Sequence, residues 1–273
     1  MDYSILISPA LGIVVGLLMG LTGAGGGILS VPLLVFALHL PVAQAAPTAL
    51  SAIAVAAGIG ALLGLKNNIL RYKAAGFMAI FGLALSPVGL WLAQRIANAP
   101  LLILFSCTLF YSSANLYRQA SREISGITDT ASKPPPCLLD PSIGKLSWNI
   151  PCARALMLAG SVAGFLSGLL GVGGGFVIVP ALKRYTDLPV QSIVATSLGV
   201  LAIISAGGTL FSAVSGNLDL ALAAPFSLGA LVGLLMGRAF GKKISGPRLQ
   251  QIFAVFTVIV AISLLIKGIN SIH

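Results

Sequence analysis

The chain has 273 residues, of which 57% are hydrophobic and only 8% charged, with a formal net charge of +10 and a mean hydropathy of +1.02. So few charges cannot cover the surface of a soluble fold of this length, which makes the chain an integral membrane protein. The sixteen Lys and Arg fall almost entirely between apolar runs and so report topology, not a nucleic-acid partner, while two His and three Cys without ligand spacing give no basis for a metal or haem centre.

The apolar text begins at residues 10–21, is interrupted by Gly23-Ala24-Gly25-Gly26-Gly27, and resumes from Ile28 to Leu38 with Pro32 in its first turns, where proline is tolerated. Each arm has about half the length of a membrane span. No basic residue precedes the first arm, so it is expected to stay in the mature protein. Three runs long enough to cross a ~30 Å apolar core follow at Ala43–Leu65, Ala74–Gln94 and Pro100–Tyr117. Residues 119–153 carry Pro134-Pro135-Pro136 and mixed charge and are expected to form a cytosolic linker. The plan then recurs: an arm at Ala155–Leu170, the glycines Gly171-Val172-Gly173-Gly174-Gly175, an arm at Phe176–Tyr185, and runs at Pro189–Ala213, Leu220–Gly237 and Pro247–Ile266.

At a constant offset of 148, residues 16–50 and 164–198 share 16 identities in 35 positions, including Pro32/Pro180, Leu40-Pro41-Val42/Leu188-Pro189-Val190 and Thr48/Thr196. A repeat this long belongs to a duplicated membrane protein. If each glycine segment crossed the membrane, Lys plus Arg would divide 9 against 7; if each enters and returns on the same side, they divide 14 against 2, with only Arg95 and Lys267 on the poor side. The positive-inside rule selects the second arrangement, with both termini periplasmic. The expected fold is therefore all-α and membrane-embedded. It has two inverted repeats, 1–118 and 154–273, each a glycine-tipped re-entrant helical hairpin plus three transmembrane helices.

Inverted hairpins bring two glycine-rich tips together near the midplane, where exposed backbone is tolerated only if it is buried in protein or lines a cavity. Helices starting near Gly27 and Gly175 would aim unpaired N–H groups and positive dipole ends at one point, an anion site without a cationic side chain. Apart from Arg248 at the start of the last run, the predicted spans contain no Lys, Arg, Asp, Glu or His. The candidate binding residues are Gly25, Gly26 and Gly27, Gly173, Gly174 and Gly175, with Thr48, Thr196 and Ser197 as hydroxyl donors. Glycines at four-residue spacing (Gly12, Gly16, Gly20; Gly160, Gly164, Gly168) read instead as helix-packing faces, and Cys107 as an inert buried residue. A phosphate loop is excluded because no Lys-Ser/Thr follows the glycines.

The doubled Gly-x-Gly-Gly-Gly-x4-Pro, here Gly23 to Pro32 and Gly171 to Pro180, followed by Leu-Pro-Val and a Thr-bearing helix, resembles the TauE/SafE sulfite exporter family over nearly the whole chain outside the linker. The resemblance implies transport of sulfur-containing oxyanions such as sulfite, sulfoacetate or related organosulfonates across the bacterial inner membrane. In the second half Ala195-Thr196-Ser197 matches the family pattern, whereas the first half has Pro47-Thr48-Ala49, so Ser197 has no counterpart. The expected partners are a small anion and the lipid bilayer, with no nucleic acid and no cofactor; homo-oligomerisation is left open. The alternative is a non-transporting accessory or scaffold subunit, in which the glycines only pack helices. The spans hold no nucleophile–base pair, so an enzyme is not expected.

Overall fold

A computed structural model describes residues 2–125, 136–140, 145–146, 149–244 and 247–270. Among these lie ten α-helices: α1 (Asp2–Thr22), α2 (Ser30–Ala37), α3 (Val42–Lys66), α4 (Tyr72–Arg95), α5 (Asn98–Ile124), α6 (Ile150–Leu170), α7 (Gly175–Tyr185), α8 (Val190–Val214), α9 (Leu220–Ile244) and α10 (Pro247–Asn270). A 3-10 turn, Gly23–Leu29, joins α1 to α2. Regular structure among the described residues is helical apart from a two-residue ladder between β1 (Leu139–Asp140) and β2 (Lys145–Leu146) and a single bridge between Cys137 and Thr186. Seven helices are long and apolar enough to cross a membrane: α3 to α6 and α8 to α10. The repeat is visible as matching helix starts, since Asp2 and Ile150, Val42 and Val190, and Tyr72 and Leu220 are each 148 residues apart.

α3 and α8 form the buried centre, whereas α5 and α10 are the least enclosed of the spans. Outward faces carry exposed apolar side chains, among them Leu62, Ile80, Tyr111, Leu210 and Ile252, as a lipid-facing surface requires. Glycines bring the inner helices together. A methyl carbon placed on Gly12, Gly16 or Gly20 of α1 would overlap the backbone of Phe226, Ala230 or Leu234 of α9, and one on Gly160, Gly164 or Gly168 of α6 would overlap that of Met78, Gly82 or Ser86 of α4. Both expected packing faces are thus real. They allow backbone-to-backbone approach, with Cα–H groups against carbonyls.

The same contacts give helix directions. Neighbours advance together along α1 and α9, and also along α3 and α9, where Ser51 meets Ser227 and Gly60 meets Arg238. α1 and α3 are therefore parallel, so residues 23–41 between them must travel back. By the same reasoning α6 runs parallel to α4, and α4 to α8, where Gly82 meets Ile204 and Ser86 meets Gly208. α3 and α8, in contrast, are antiparallel: Gly64 abuts Ala195, Gly60 abuts Leu198 and Leu50 abuts Gly208. α5 and α10 are antiparallel too, as Ser121 meets Gln251 and Ser113 meets Ala254. Exchange of the two halves maps α1–α9 onto α6–α4 and leaves the α3–α8 and α5–α10 pairs in place.

Three expectations need correction. α1 and α6 each have 21 residues, about 31 Å at ~1.5 Å per residue, nearly twice the half-span expected of the first arm. α1 starts at Asp2 because Pro9 does not end the helix. α5 runs to Ile124, past the expected linker boundary, while the middle of that linker, with Asp129, Lys133, Pro134 and Pro135, lies outside the described residues. Cys137 and Cys152 form a disulfide, and Cys107 is exposed, not buried. The disulfide joins the chain before α6 to the first turn of that helix, and the Cys137 N–H donates to the Tyr185 carbonyl at the end of α7.

Candidate functional site

The two glycine motifs fold differently. α6 ends on Gly171 in the left-handed conformation (φ 71°), its N–H donating to the Ser167 carbonyl at 2.8 Å. Gly173 (φ 72°) and Gly174 (φ 73°) are left-handed as well, which only glycine adopts without strain, and together they reverse the chain within a few residues. Gly174 is the N-cap of α7 without a side-chain cap, and its carbonyl receives the N–H groups of Val177 and Ile178 at 3.0 and 3.2 Å. In the first motif Gly25, Gly26 and Gly27 lie in the 3-10 turn, and the α-helix proper begins at Ser30, not Gly27. The Ser30 hydroxyl donates to the Gly27 carbonyl at 2.6 Å.

The tips meet in the interior. A methyl carbon on Gly27 would lie 3.6 Å from the Val172 carbonyl oxygen and 3.3 Å from Ile53 Cδ1, and one on Gly173 would lie 3.0 Å from Ile53 Cγ2 and 3.3 Å from the Ser205 hydroxyl. Ile53 of α3 thus touches both motifs. The hydroxyl candidates are more dispersed. Thr48 is buried near the start of α3, and its carbonyl receives the Ser51 hydroxyl at 2.7 Å. Thr196 is buried near the start of α8, where its hydroxyl oxygen accepts the Arg71 N–H at 3.1 Å. The Ser197 hydroxyl donates to Val194 of its own helix at 2.9 Å. Since α3 and α8 are antiparallel, Thr48 and Thr196 sit toward opposite ends of the central pair.

A cavity enclosing about 760 Å³, its open mouth included, reaches the tips between α5, α7, α8 and α10. Gln119, Lys183 and Gln250 frame its outer part and Thr22, Ile28 and Gly175 its deep end. The outer elements are the end of α5, the end of α7 and the start of α10, all on the side of the 125–149 connection. The buried Gln250 Oε1 is without a hydrogen-bond partner among the described residues. Sequence reasoning placed Lys183 in the arm Phe176–Tyr185 and Gln250 in the run Pro247–Ile266 but gave neither a role, and only their helical phase turns them toward the cavity.

One cation is also recovered from the apolar interior. α9 continues past Gly237, so the half-buried Arg238 lies inside a helix, and its guanidinium donates to the Gly60 carbonyl of α3 at 3.1 Å. The expectation that the spans contain no charge therefore fails for α9. It fails for α10 as well: Lys267 lies within the helix, donates to the Val35 carbonyl at 3.0 Å and sits over the Phe36 ring.

The family model described as sulfite exporter TauE/SafE matches residues 9–264. Among curated proteins, the chain is 33% identical to the probable membrane transporter protein MJ0441 of Methanocaldococcus jannaschii, over 76% of this chain and 72% of the relative. It is 25% identical to the probable membrane transporter protein YunE of Bacillus subtilis, over 98% of this chain and all of the relative, and 26% identical to a probable membrane transporter protein of Xylella fastidiosa, over 95% and 94%. No solved structure matches the chain.

Proposed function

The chain belongs to the sulfite exporter TauE/SafE family, and from that premise we propose that it is a secondary transporter of small sulfur-containing oxyanions, sulfite, sulfoacetate or a related organosulfonate, held between its two glycine tips. The observation that carries this reading is the convergence of Gly27 with Val172 against Ile53 in the protein interior. Irregular backbone at that depth needs a purpose, and N–H groups and hydroxyls suit an oxyanion. The parallel course of α1 with α3 and of α6 with α8 supports re-entrant hairpins, and the antiparallel α3–α8 pair supports inverted repeats. Two halves of opposite orientation around one central site are a design for alternating access. The cavity beside α7 is then the entrance on the linker side.

The proposed location is the bacterial inner membrane, with termini in the periplasm and linker in the cytosol, since this division gathers 14 of the 16 Lys and Arg on the cytosolic side. The Cys137–Cys152 disulfide argues the other way, because such bonds persist chiefly in oxidising compartments. The charge distribution governs the assignment, as it draws on the whole chain and not on one pair. The expected result is that single cysteines introduced as Asn98→Cys and Ser132→Cys in a cysteine-free background label from opposite sides of the membrane in intact cells, the first by an impermeant maleimide and the second only by a permeant one. Labelling of Ser132→Cys by the impermeant reagent would reverse the orientation.

Binding is tested on the purified protein by the shift of its melting temperature with sulfite and sulfoacetate against chloride. If Thr48 donates to the anion, Thr48→Val removes one hydrogen bond to a charged group, about 1.5 to 3 kcal/mol, or roughly ten- to a hundredfold in affinity. Thr196→Val also strips the Arg71 N–H of its acceptor and is read beside it. Equal shifts with all three anions would sink the assignment of substrate class.

A further inference from the structure

Buried hydroxyls on these helices ordinarily return to the carbonyl one turn back, as Ser106, Ser212 and Thr257 do at 2.8 Å. Ser86, Ser167 and Ser205 do not. All three are fully shut from solvent, and their hydroxyls have no hydrogen-bond partner among the described residues. A buried polar group without a partner needs an explanation.

The three come from different helices and gather around the second glycine turn. Ser205 of α8 faces Gly173, its hydroxyl 3.3 Å from where a methyl carbon would stand. Ser167 is in the last turn of α6, and its carbonyl holds Gly171. The Ser86 hydroxyl of α4 lies 3.4 Å from the corresponding point on Gly208, one turn along α8 from Ser205, and the Ser86 carbonyl packs on Gly168 next to Ser167. The offset of 148 gives their counterparts around the first turn as Leu234, Met19 and Ala57, all buried and apolar. The backbone is asymmetric in the same sense: three left-handed glycines shape the second turn, whereas Gly26 and Gly27 adopt no positive φ.

We propose that Ser86, Ser167 and Ser205, with the Gly171–Gly174 turn, form an occluded hydroxyl cradle for one sulfonate head, so that the binding site is one-sided and not shared equally between the repeats. The proposal rests on the oxyanion-transport reading and narrows it. Three neutral donors match three acceptor oxygens. Ile53 Cγ2 and Leu201 Cδ2 stand 3.0 and 3.3 Å from where a methyl carbon on Gly173 would lie, closer than ordinary contact. These flexible apolar side chains must therefore shift to admit a ligand, and they then give the apolar substituent of an organosulfonate a surface that bare sulfite would leave unused. The first turn supplies a wall and the second supplies the donors.

The test uses the full-length purified protein with methanesulfonate, sulfite and chloride as probes in thermal-shift titrations. Ser86→Ala, Ser167→Ala and Ser205→Ala are expected to melt at or above the parent temperature without anion, since each removes an unsatisfied buried hydroxyl, and to lose at least tenfold in affinity for methanesulfonate. Ser212→Ala, whose hydroxyl bonds its own helix, should keep the parent affinity. If an alanine variant does not fold, the near-isosteric Ser→Cys exchange, a much weaker donor, makes the same measurement. A parent shift undiminished in all three variants overturns the cradle alone. A parent that responds to neither sulfonate nor sulfite overturns the transport reading and the cradle with it.

Discussion

Gly164→Val should leave no folded protein to assay. A methyl carbon at Gly164 would overlap the carbonyl oxygen and Cα of Gly82, and both partners are main chain inside helices, so neither can rotate away as a side-chain end could. Relief requires moving α6 off α4 by an ångström or more. Because Gly160 lies on Met78 and Gly168 on Ser86 in the same register, the whole seam opens together. In the bilayer no hydrophobic gain opposes the separation, since lipid tails solvate the parted faces as well as the helices did. The expected loss exceeds about 4 kcal/mol, at the severe end for one substitution, and should appear as aggregation in size-exclusion chromatography of detergent extracts. Gly16→Val, against Ala230 of α9, should fail in the same way. Gly58→Ala and Gly76→Ala are the controls. Nothing lies within 4 Å of a methyl carbon at either site, so they should be neutral or raise stability by up to about 1 kcal/mol through helix propensity. Parent-like elution and melting of Gly164→Val would mean that the seam is not close-packed.

That seam was legible from residue spacing alone. Glycines four apart lie on one helical face, and six of them in two apolar segments could hardly serve anything but close approach. The duplication was equally plain, and the structure carries the offset of 148 through α1, α3 and α4 into α6, α8 and α9. Other features were hidden for identifiable reasons. Hydropathy ends a span at its first charge, so α9 seemed to stop at Gly237, yet its helix continues and Arg238 turns its guanidinium onto Gly60. A serine in an apolar run reads alike whether it bonds its own helix, as Ser212 does, or has no partner among the described residues, as with Ser205. The glycine motifs share four of their five residues but fold as a 3-10 turn in one half and a left-handed reversal in the other, a difference set by packing and not by motif. Cys137 and Cys152 carry no recognisable spacing, and only the course of the chain before α6 brings them together.

Gly27→Ala should give a protein that folds and melts like the parent yet loses tenfold or more in affinity for sulfite or a sulfonate. Valine at Gly26 or Gly174 cannot make this distinction. A methyl carbon at Gly26 would run into the backbone of Met19, and one at Gly174 would come within 2.5 Å of the Ala163 carbonyl oxygen in a left-handed conformation already unfavourable to a side chain. Both variants would fail sterically whether or not the tips bind anything. Gly27 has no such obstacle. Its backbone is not left-handed, and the nearest atoms to a methyl carbon are the Ile53 Cδ1 and Cγ1 at 3.3 and 3.4 Å, the movable end of a side chain, followed by the Val172 oxygen at 3.6 Å. The strain of a small Ile53 adjustment is offset by alanine's helical preference, worth up to about 1 kcal/mol over glycine, so the melting temperature without anion should barely move. The added methyl nevertheless stands between the two tips, in the space an anion held by both would occupy. A packing role predicts parent-like melting with parent-like binding, whereas a binding role predicts parent-like melting with binding lost. Titration of both proteins with sulfite and methanesulfonate separates them, and an unchanged affinity in Gly27→Ala would remove the first tip from the site and leave the second turn to hold the anion alone.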